Sequence, residues 1–560
     1  MKTPSKLVFF CLPALAAASS AQDARCLLTE GAVLPGGPVG QLVEFINNTA
    51  VNQLGGYACT VNSSDGVTTL SHVWGNAGDG PGAPLQTEKL VGTLQQTSFE
   101  SFFGVADDGT ACYSPSADDT ASTLTGLDGV WLGDAVVAIE GDPIASLPGK
   151  VWRFGSRPGV TADGQPYWVG GIDDGATGAD EGRGLFFGLG ATVLYKTGDV
   201  LAGAPGPVAP SGVDFDFRFS ALGTHHITGL DTDADTSSDF VIAVDGALLQ
   251  IGGGNVQEGV PLPAAAGGLA GENWDNFDSL GINEAGDYLI TGDSDGDAAT
   301  DEFLLRNGAI VHREGDVVDG RMLTGALEGA FLNENGEVAF IWDVEDGGDS
   351  LEALYFESTL VQLEGDNVDV TGDGVPDPGA TISSFTGIST LTLGPDREIY
   401  FTADVDIFGS STTSDDVECF FAIKAPGTPD FVASPSSLSV AAGGTQGLFL
   451  CAGADFGGDL YWVLGSASGT APGFLFGAVL VPLNPDFYFD ITLNKPNQAP
   501  LIDTFANLSS AGTAVARWEL PAGLFPALAG TTADHAYGVI DPVTLALTQV
   551  SSTTSLTFTP

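Results

Sequence analysis

The sequence predicts an all-β protein: a seven-bladed β-propeller whose N-terminal strand closes the last blade, followed by a small β-sandwich. Three observations predict it. The 78 Gly and 31 Pro among 560 residues leave few windows for long helices, a unit of strand, glycine turn and strand recurs seven times, and the composition changes near residue 428. A chain of this length exceeds one ordinary domain, most of which run about 50–250 residues. Its charged fraction of 16% beside 43% hydrophobic residues is too apolar for a disordered acidic segment. The formal charge of -55, from 17 Lys plus Arg against 72 Asp plus Glu, repels phosphate backbones and anionic lipid. Nucleic acid is thereby excluded as a partner, and divalent cations are the natural ones.

The N-terminus carries the pattern of a cleaved export signal over residues 1–21. Lys2 and Lys6 precede an apolar run from Leu7 to Ala18, and Ser19 and Ala21 supply small residues before Gln22. The surroundings of Cys11 lack the small residues that precede a lipidated cysteine, and no later run of 18 apolar residues exists to span a membrane. The expected location is secreted, periplasmic or cell-surface, after cleavage near Ala21. Cleavage leaves Cys26, Cys59, Cys112, Cys419 and Cys451 in an oxidising compartment. The number is odd, so at least one thiol stays unpaired within the chain.

Self-comparison reveals the repeat. Its clearest copies read Gly281-Ile-Asn-Glu-Ala-Gly-Asp-Tyr-Leu-Ile and Leu332-Asn-Glu-Asn-Gly-Glu-Val-Ala-Phe-Ile, with an earlier one at Asn52-Gln-Leu-Gly-Gly-Tyr-Ala-Cys. Degenerate copies place the turn at Asp108-Gly109, Asp163-Gly164 and Leu222-Gly223, and the last, Asp396-Arg397, has lost its glycine. Seven turns thus lie 50 to 63 residues apart. A second pair of apolar runs follows each turn through the middle of the chain, such as Phe303-Leu-Leu then Ile310-Val-His, and four units end in Glu140-Gly-Asp, Thr197-Gly-Asp, Glu314-Gly-Asp and Glu364-Gly-Asp. Four short antiparallel strands per unit, seven times over, is the arithmetic of a seven-bladed propeller spanning residues 22–428. A solenoid uses shorter repeats, and a string of sandwiches needs about 100 residues per unit.

The ends of the repeat region predict how the ring closes. The seventh unit stops after its third strand, Cys419-Phe-Phe-Ala-Ile, whereas Cys26-Leu-Leu-Thr-Glu-Gly matches the fourth strand of the other units. The N-terminal strand is therefore expected to complete the last blade, which removes two exposed sheet edges. This alignment sets Cys26 and Cys419 on neighbouring strands as a disulfide pair. The strand parity of Cys59 and Cys112 differs, which leaves two readings: a disulfide between the first two blades, or two buried thiols. Cys451 is expected to be free and buried.

These units resemble a family of secreted bacterial propeller-repeat proteins that read Asn-x-x-Gly-x-Val-x-Phe and close on Glu-Gly-Asp. The resemblance covers about residues 26 to 424 and is weakest in the first and last units. It implies a fold and a compartment, and no enzymatic activity. Residues 429–560 differ: eight acidic and two basic residues follow Phe431. There Ser439-Val-Ala-Ala-Gly-Gly-Thr-Gln-Gly-Leu-Phe-Leu, Leu460-Tyr-Trp-Val-Leu, Phe487-Tyr-Phe-Asp-Ile and Ala514-Val-Ala-Arg-Trp-Glu-Leu are expected strands. This tail is similar to the C-terminal sandwich of large bacterial exoproteins, which implies a generic role in export, attachment or packing.

Three Asp-rich loops are the candidate metal sites. Asp231, Asp233, Asp235 and Asp239 occupy relative positions 1, 3, 5 and 9, as do Asp293, Asp295, Asp297 and Asp301; Asp369, Thr371, Asp373 and Asp377 form a third copy with one hydroxyl. Ca²⁺ takes about six to eight oxygens, and carboxylates alternating along a tight loop can supply them. The spacing resembles the calcium loops of integrin-type propellers, from which the first two depart by Thr236 and Ala298 where glycine is usual. Ile242 and Leu304 exclude an EF-hand, which needs a bidentate Glu at the twelfth position. A solvated acidic turn is the competing reading for all three.

Other chemistry is poorly supported. His72, His225, His226, His312 and His535 show no zinc spacing with Cys. Gly465-Ser-Ala-Ser-Gly fails the order of a nucleophile elbow, and Gly252-Gly-Gly-Asn lacks the lysine of a phosphate loop. No carboxylate is marked by an apolar setting, and Trp131, Trp152, Trp168 and Trp342 read as packing between blades. The leading functional expectation is a non-enzymatic, calcium-stabilised extracellular binding or surface-interaction protein with an unidentified ligand. The alternatives are a secreted hydrolase of polysaccharide or lactone using a cation at the propeller mouth, and a structural exoprotein scaffold.

Overall fold

The computed structural model describes residues 24–560 except 77–81, 214–215, 235, 372–374, 388–389, 408–415, 454–455, 477–478 and 510–511. The expected export signal, including Cys11, lies outside the described residues. The protein is all-β. No helix among the described residues is long and apolar enough to cross a membrane.

Seven consecutive antiparallel sheets fill the first three quarters of the chain. The first holds Leu42–Val51, Tyr57–Ser64, Thr69–Asn76 and Ala83–Thr87; the second Leu94–Val105, Ala111–Asp119, Leu127–Leu132 and Ala135–Ile139, with Leu90–Val91 at its inner edge. The third comprises Lys150–Val160, Pro166–Asp174, Asp180–Phe187 and Thr192–Lys196, and the fourth Phe217–Phe219, His226–Asp231, Phe240–Val244 and Ala247–Leu248. The fifth runs Trp274–Ile282, Tyr288–Ser294, Phe303–Arg306 and Ala309–Arg313; the sixth Arg321–Leu332, Val338–Asp346, Asp349–Phe356 and Thr359–Leu363, with Val317–Val318 before it. In the seventh, Thr381–Phe385 and Thr392–Leu393 both pair with Glu398–Asp406, which pairs with Val417–Lys424. Its fourth strand is Arg25–Thr29, antiparallel to Val417–Lys424 with Cys26 opposite Phe421 and Thr29 opposite Cys419.

The repeat motif has a specific physical task. In all seven units a backbone N–H to C=O bond closes the turn between first and second strands: Asn52 to Gly56, Ala106 to Thr110, Thr161 to Gln165, Ser220 to His225, Asn283 to Asp287, Asn333 to Glu337 and Gly394 to Glu398. Where asparagine leads, its Oδ1 accepts two further N–H groups of the turn, as Asn333 does from Asn335 and Glu337. Its Nδ2 meanwhile donates to the next sheet: Asn52 to the Ala106 carbonyl at 3.2 Å, Asn283 to Asn333 and Asn333 to Gly394, both at 3.4 Å. Thr161 and Ser220 each accept one turn N–H through their hydroxyls, and the Thr161 hydroxyl also donates to Asp163. The turn glycines hold a left-handed backbone, φ +81° at Gly286 and +76° at Gly336, and Arg397 adopts φ +63° where the last copy lacks one. Its guanidinium pairs with Glu337 of the preceding sheet.

Hydrogen bonds join every neighbouring pair of sheets. They run from Asn52 to Ala106, Asp107 to Ala162, Ala162 to Ala221, Leu222 to Glu284, Glu284 to Glu334, Asn333 to Gly394, and from Thr49 to Thr390, which links the first sheet to the seventh. Between neighbours lies a separate apolar core. Alternation along each strand sends odd and even residues to different cores: Leu289 and Leu304 pack with Phe340 and Trp342, while Ile290 and Phe303 pack with Ile227 and Trp274. Both faces are buried, which is why the strands read as apolar runs. Trp131, Trp152, Trp168 and Trp342 are buried in these cores.

The cysteines depart from expectation. Cys59 faces the core shared with the seventh sheet, beside Tyr400 and Phe420, and Cys112 faces the third sheet, beside Trp152 and Trp168. They point away from each other, so no bond between them can form; Ala58 and Ala111 occupy the shared core instead. Parity places the two thiols on opposite faces, but which face meets which neighbour depends on the hand of the sheet order. Cys451 is exposed rather than buried, and all five described cysteines are unbonded.

The C-terminal unit consists of two facing sheets. One contains Phe431–Ser434, Gly444–Cys451, Thr513–Leu520 and Leu501–Ile502; the other Ser437–Ser439, Thr554–Thr559, Thr532–Ile540, Leu460–Ser466 and Phe505–Asn507, with Leu547–Val550 beside Thr532–Ile540. Leu448 and Leu450 of the first share a core with Val463, Tyr537 and Val539 of the second. Residues 487–491 are helical, not extended: the helix Phe487–Asn494 starts at Asp486, whose side chain accepts the Phe489 N–H. This cap outweighs the strand preference of the aromatic pair Phe487-Tyr488.

The asparagine arrangement makes a testable demand. Asn333→Ala strips acceptors from two turn N–H groups and a donor from Gly394, and is expected to destabilise the full chain by about 3 kcal/mol in urea unfolding. Asn333→Thr, which imitates Thr161, should cost roughly half as much.

Candidate functional site

The first strands of the seven sheets line a common cavity of about 190 Å³, walled by Asn48, Phe102, Arg218, Phe219 and Phe331 among others. Its two ends differ. The seven repeat turns cluster at one end, where the C-terminal unit covers them: Phe449 lies against Gly55, and Leu222 against Gly444. Asp107, Asp163, His225, Glu284, Glu334 and Arg517 line a further cavity of about 970 Å³ between the turns and this unit.

The opposite end carries the loops between second and third strands, and these are acidic. Several of their aspartates satisfy their own turns. Asp65 accepts the Val67 and Thr68 N–H groups, Asp174 those of Ala176 and Thr177, and Asp541 of the C-terminal unit repeats the device with Val543 and Thr544.

The candidate metal loops divide under the same test. In the first, Asp239 and Asp233 raise the pKa of half-buried Asp231 beyond the effect of burial, so these carboxylates lie close; Asp235 lies outside the described residues. In the second, burial and then Asp301, alone of the other three loop aspartates, raise the pKa of Asp293. Asp295 is held instead by the Asn273 N–H and amide at 2.7 Å, and Asp297 accepts the Ala299 N–H of its own turn. In the third, Asp377 accepts the Val370 and Thr371 N–H groups, Thr371 donates to Asp369, and the Asp369 backbone bonds Ala24 and Cys26. That loop ties down the N-terminal strand, and Asp373 lies outside the described residues. Among the described residues no three His, Cys, Asp or Glu side chains form a ready metal site.

Contrary to the expectation that no carboxylate sits in a perturbing environment, several do. Burial pushes Glu100, Glu352 and Glu418 up to about 7. Each of these is a clamp between sheets, accepting the N–H of Arg157, Phe385 or Ile46 on the neighbouring first strand. Glu302 is different. Burial first, then Asp293, Asp278 and Asp301, push it up to about 10, and no backbone N–H donates to its side chain among the described residues. Asp278 in turn rises to about 6 through burial and Asp293, and Glu314 is raised by burial, Asp301 and Asp293. Thus Asp278, Asp293, Asp301, Glu302 and Glu314 form an acid group on the fifth sheet. Its members come from its first strand, second strand and following loop, and the turn after its fourth strand. Only Asp293 and Asp301 carried a spacing signal.

The histidines serve structure. His72 is enclosed between Ser63 at 2.7 Å and Thr87 at 2.9 Å, and burial lowers it to about 4; His535 bonds Tyr488 at 2.8 Å and is likewise lowered to about 4. His225 pairs with Asp245 and His226 with Tyr195.

No protein-family model and no curated protein matches this chain. Among solved structures, an alpha-L-arabinanase from Penicillium chrysogenum is similar at 11% identity, over 72% of this chain and 99% of its own, with a TM-score of 0.26. An exo-beta-1,3-galactanase from Phanerochaete chrysosporium gives 11% identity over 69% and 93%, at a TM-score of 0.20. The polysaccharide lyase Uly1 gives 10% over 69% and 78%, at 0.23.

Because Glu302 keeps its proton from its ordinary value of 4.5 up to about 10 in the fold, the folded chain binds more protons than the unfolded one across that window. The stability this provides is complete below pH 4.5 and is lost as pH rises towards 10. The apparent melting temperature at low salt is therefore expected to fall from pH 5 to pH 8, and Glu302→Gln should flatten that fall, as differential scanning calorimetry will report.

Proposed function

We propose that this chain is an exported, non-enzymatic binding protein that contacts its extracellular ligand through the acidic end of a seven-bladed β-propeller, with calcium as the counter-ion of that face. In this reading residues 1–21 are removed on export, residues 22–428 form the propeller, and residues 429–560 form a β-sandwich. The propeller reading is supported by seven sheets, seven inter-sheet cores and hydrogen bonds that return from the seventh sheet to the first. The sandwich covers the turn end, which leaves the acidic end for contact.

The observation that carries the proposal is the environment of Glu302. Three carboxylates act on it in the same direction, and no backbone donor compensates them. Such a group at neutral pH either retains a proton or attracts a cation, and a hard divalent ion suits oxygen ligands. Among the described residues these carboxylates do not converge as a ready three-ligand site, so calcium would have to draw them together, and Asp293 and Asp301 of the second Asp-rich loop are among them.

Calorimetric titration of the full chain with Ca²⁺ at pH 7.5 tests it. Binding at about 10⁻⁴ to 10⁻³ M is expected, as for other extracellular modules, with a rise in melting temperature that a chelator reverses. Asp293→Asn combined with Glu302→Gln should remove both effects. An unchanged melting temperature on adding calcium overturns the calcium reading. Release of reducing sugar from polysaccharides, or of acid from lactones, overturns the non-enzymatic one.

A further inference from the structure

The seventh sheet is the one sheet assembled from both ends of the repeat region. Arg25–Thr29 is held by pairing with Val417–Lys424, by the Cys26 N–H to the Asp369 carbonyl at 2.9 Å, and by the Glu30 N–H to the Glu418 carbonyl at 2.9 Å. This is a short strand for its task. An edge of Val417–Lys424 would be exposed if it detached, and open edges invite pairing with other chains.

A bulge between Cys26 and Leu28 interrupts the register of this strand. Cys26 lies opposite Phe421 and Cys419 opposite Thr29; an unbroken register would set Cys419 opposite Leu28, which would make it a diagonal neighbour of Cys26 on the same face. Bulges re-aim side chains, and here both thiols face the same core, between the sixth and seventh sheets. The Cys26 sulfur lies 3.1 Å from the Leu28 carbonyl and 3.2 Å from the Thr29 hydroxyl, and its thiol is hydrogen-bonded to that of Cys419. The other three described cysteines have no such arrangement: Cys59 and Cys112 are buried in different cores and Cys451 lies in the C-terminal unit.

We infer that Cys26 and Cys419 are a redox-responsive pair that locks the N-terminal strand covalently onto the seventh sheet. The co-reactant is a small-molecule or protein disulfide. The Cys26 thiolate attacks one sulfur of the oxidant and expels a thiolate; the Cys419 sulfur then displaces the second from the mixed disulfide. The two cysteines lose two protons and two electrons, and the oxidant leaves as two thiols. The roles follow from position, since Cys26 is partly accessible and Cys419 is fully buried. The bond to Cys419 also holds the Cys26 thiol below its ordinary value, which favours the attacking thiolate. The inference is independent of the proposed binding role.

Peptide mass mapping of the full chain, alkylated without reduction after incubation with glutathione disulfide, tests it. A peptide linking Cys26 to Cys419 is expected, with Cys59, Cys112 and Cys451 still alkylated. Hydrogen exchange of residues 25–29 should slow on oxidation and recover with dithiothreitol, whereas Cys26→Ser should be indifferent to both. If both thiols remain alkylated after oxidation, or if either links to a different cysteine, the inference is overturned. Wild-type mapping decides the matter even if Cys26→Ser fails to fold.

Discussion

One side chain with two ends organises the repeat region. The leading asparagine of each intact unit offers an acceptor and a donor on the same amide, and the turn consumes the acceptor while the next sheet receives the donor. Local and long-range structure are thereby coupled: a turn with its asparagine in place presents its amide N–H to the neighbouring sheet. Aspartate would keep the acceptor and lose the donor, and serine or threonine accepts a single turn N–H, as at Ser220 and Thr161. Because Asn52, Asn283 and Asn333 are nearly enclosed, these bonds act without competition from water. The degenerate second and third units rely on backbone bonds instead, Asp107 to Ala162 and Ala162 to Ala221.

That commitment determines where chemistry can reside. The turn end is occupied by bonds between sheets and then covered by the C-terminal unit, although Gln53 Oε1 and Asn335 Oδ1 there are buried without a hydrogen-bond partner among the described residues. At the other end the loops are free to vary, and the chain has filled them with aspartate. Several of these carboxylates fold back on their own turns, and a second set clamps neighbouring first strands through Glu100, Glu352 and Glu418. Both uses answer a carboxylate with an N–H donor. Glu302 stands apart, because Asp293, Asp278 and Asp301 all act on it, whereas Glu314 and Asp278 beside it accept N–H groups of Gly325 and Asn276. Formal charge alone, however large, could not have separated these three uses.

The turns, the strand count and the closing strand were legible in the sequence because each depends on local chemistry: left-handed glycine, an amide at a fixed offset, and an unmatched strand at each end. Features that depend on three-dimensional hand or on distant strands were not. Cys59 and Cys112 differ in parity as expected, yet parity cannot say which face meets which neighbour. Asp295 follows the spacing of a calcium loop, but Asn273 from the preceding strand captures it. The Asp369 backbone anchors the N-terminal strand, and the Asp377 carboxylate closes its own loop on Val370 and Thr371. Glu302 has no signal of its own, since its neighbours Asp278 and Asp293 arrive from the two preceding strands. The helix at Phe487–Asn494 was hidden because an aromatic run resembles a strand until the capping aspartate before it is weighed.

The junction that closes the ring is also where these opposing tendencies meet. Glu418 bonds Ile46 of the first sheet, but Asp404 and Glu30 both act to keep it protonated, so bringing the N-terminal strand home adds an acidic neighbour to an acidic site. Against this stand the apolar contacts on its two faces, with Leu28 packing toward Tyr57 and Trp74 and Cys26 packing toward the sixth sheet. Burial of one leucine contributes about 1.5–3 kcal/mol, which is comparable to the cost of one uncompensated carboxylate brought near others at low salt. Backbone pairing over five residues must supply much of the remaining margin. Closure is therefore the least overdetermined of the seven junctions, for the other six join sheets that the chain itself connects.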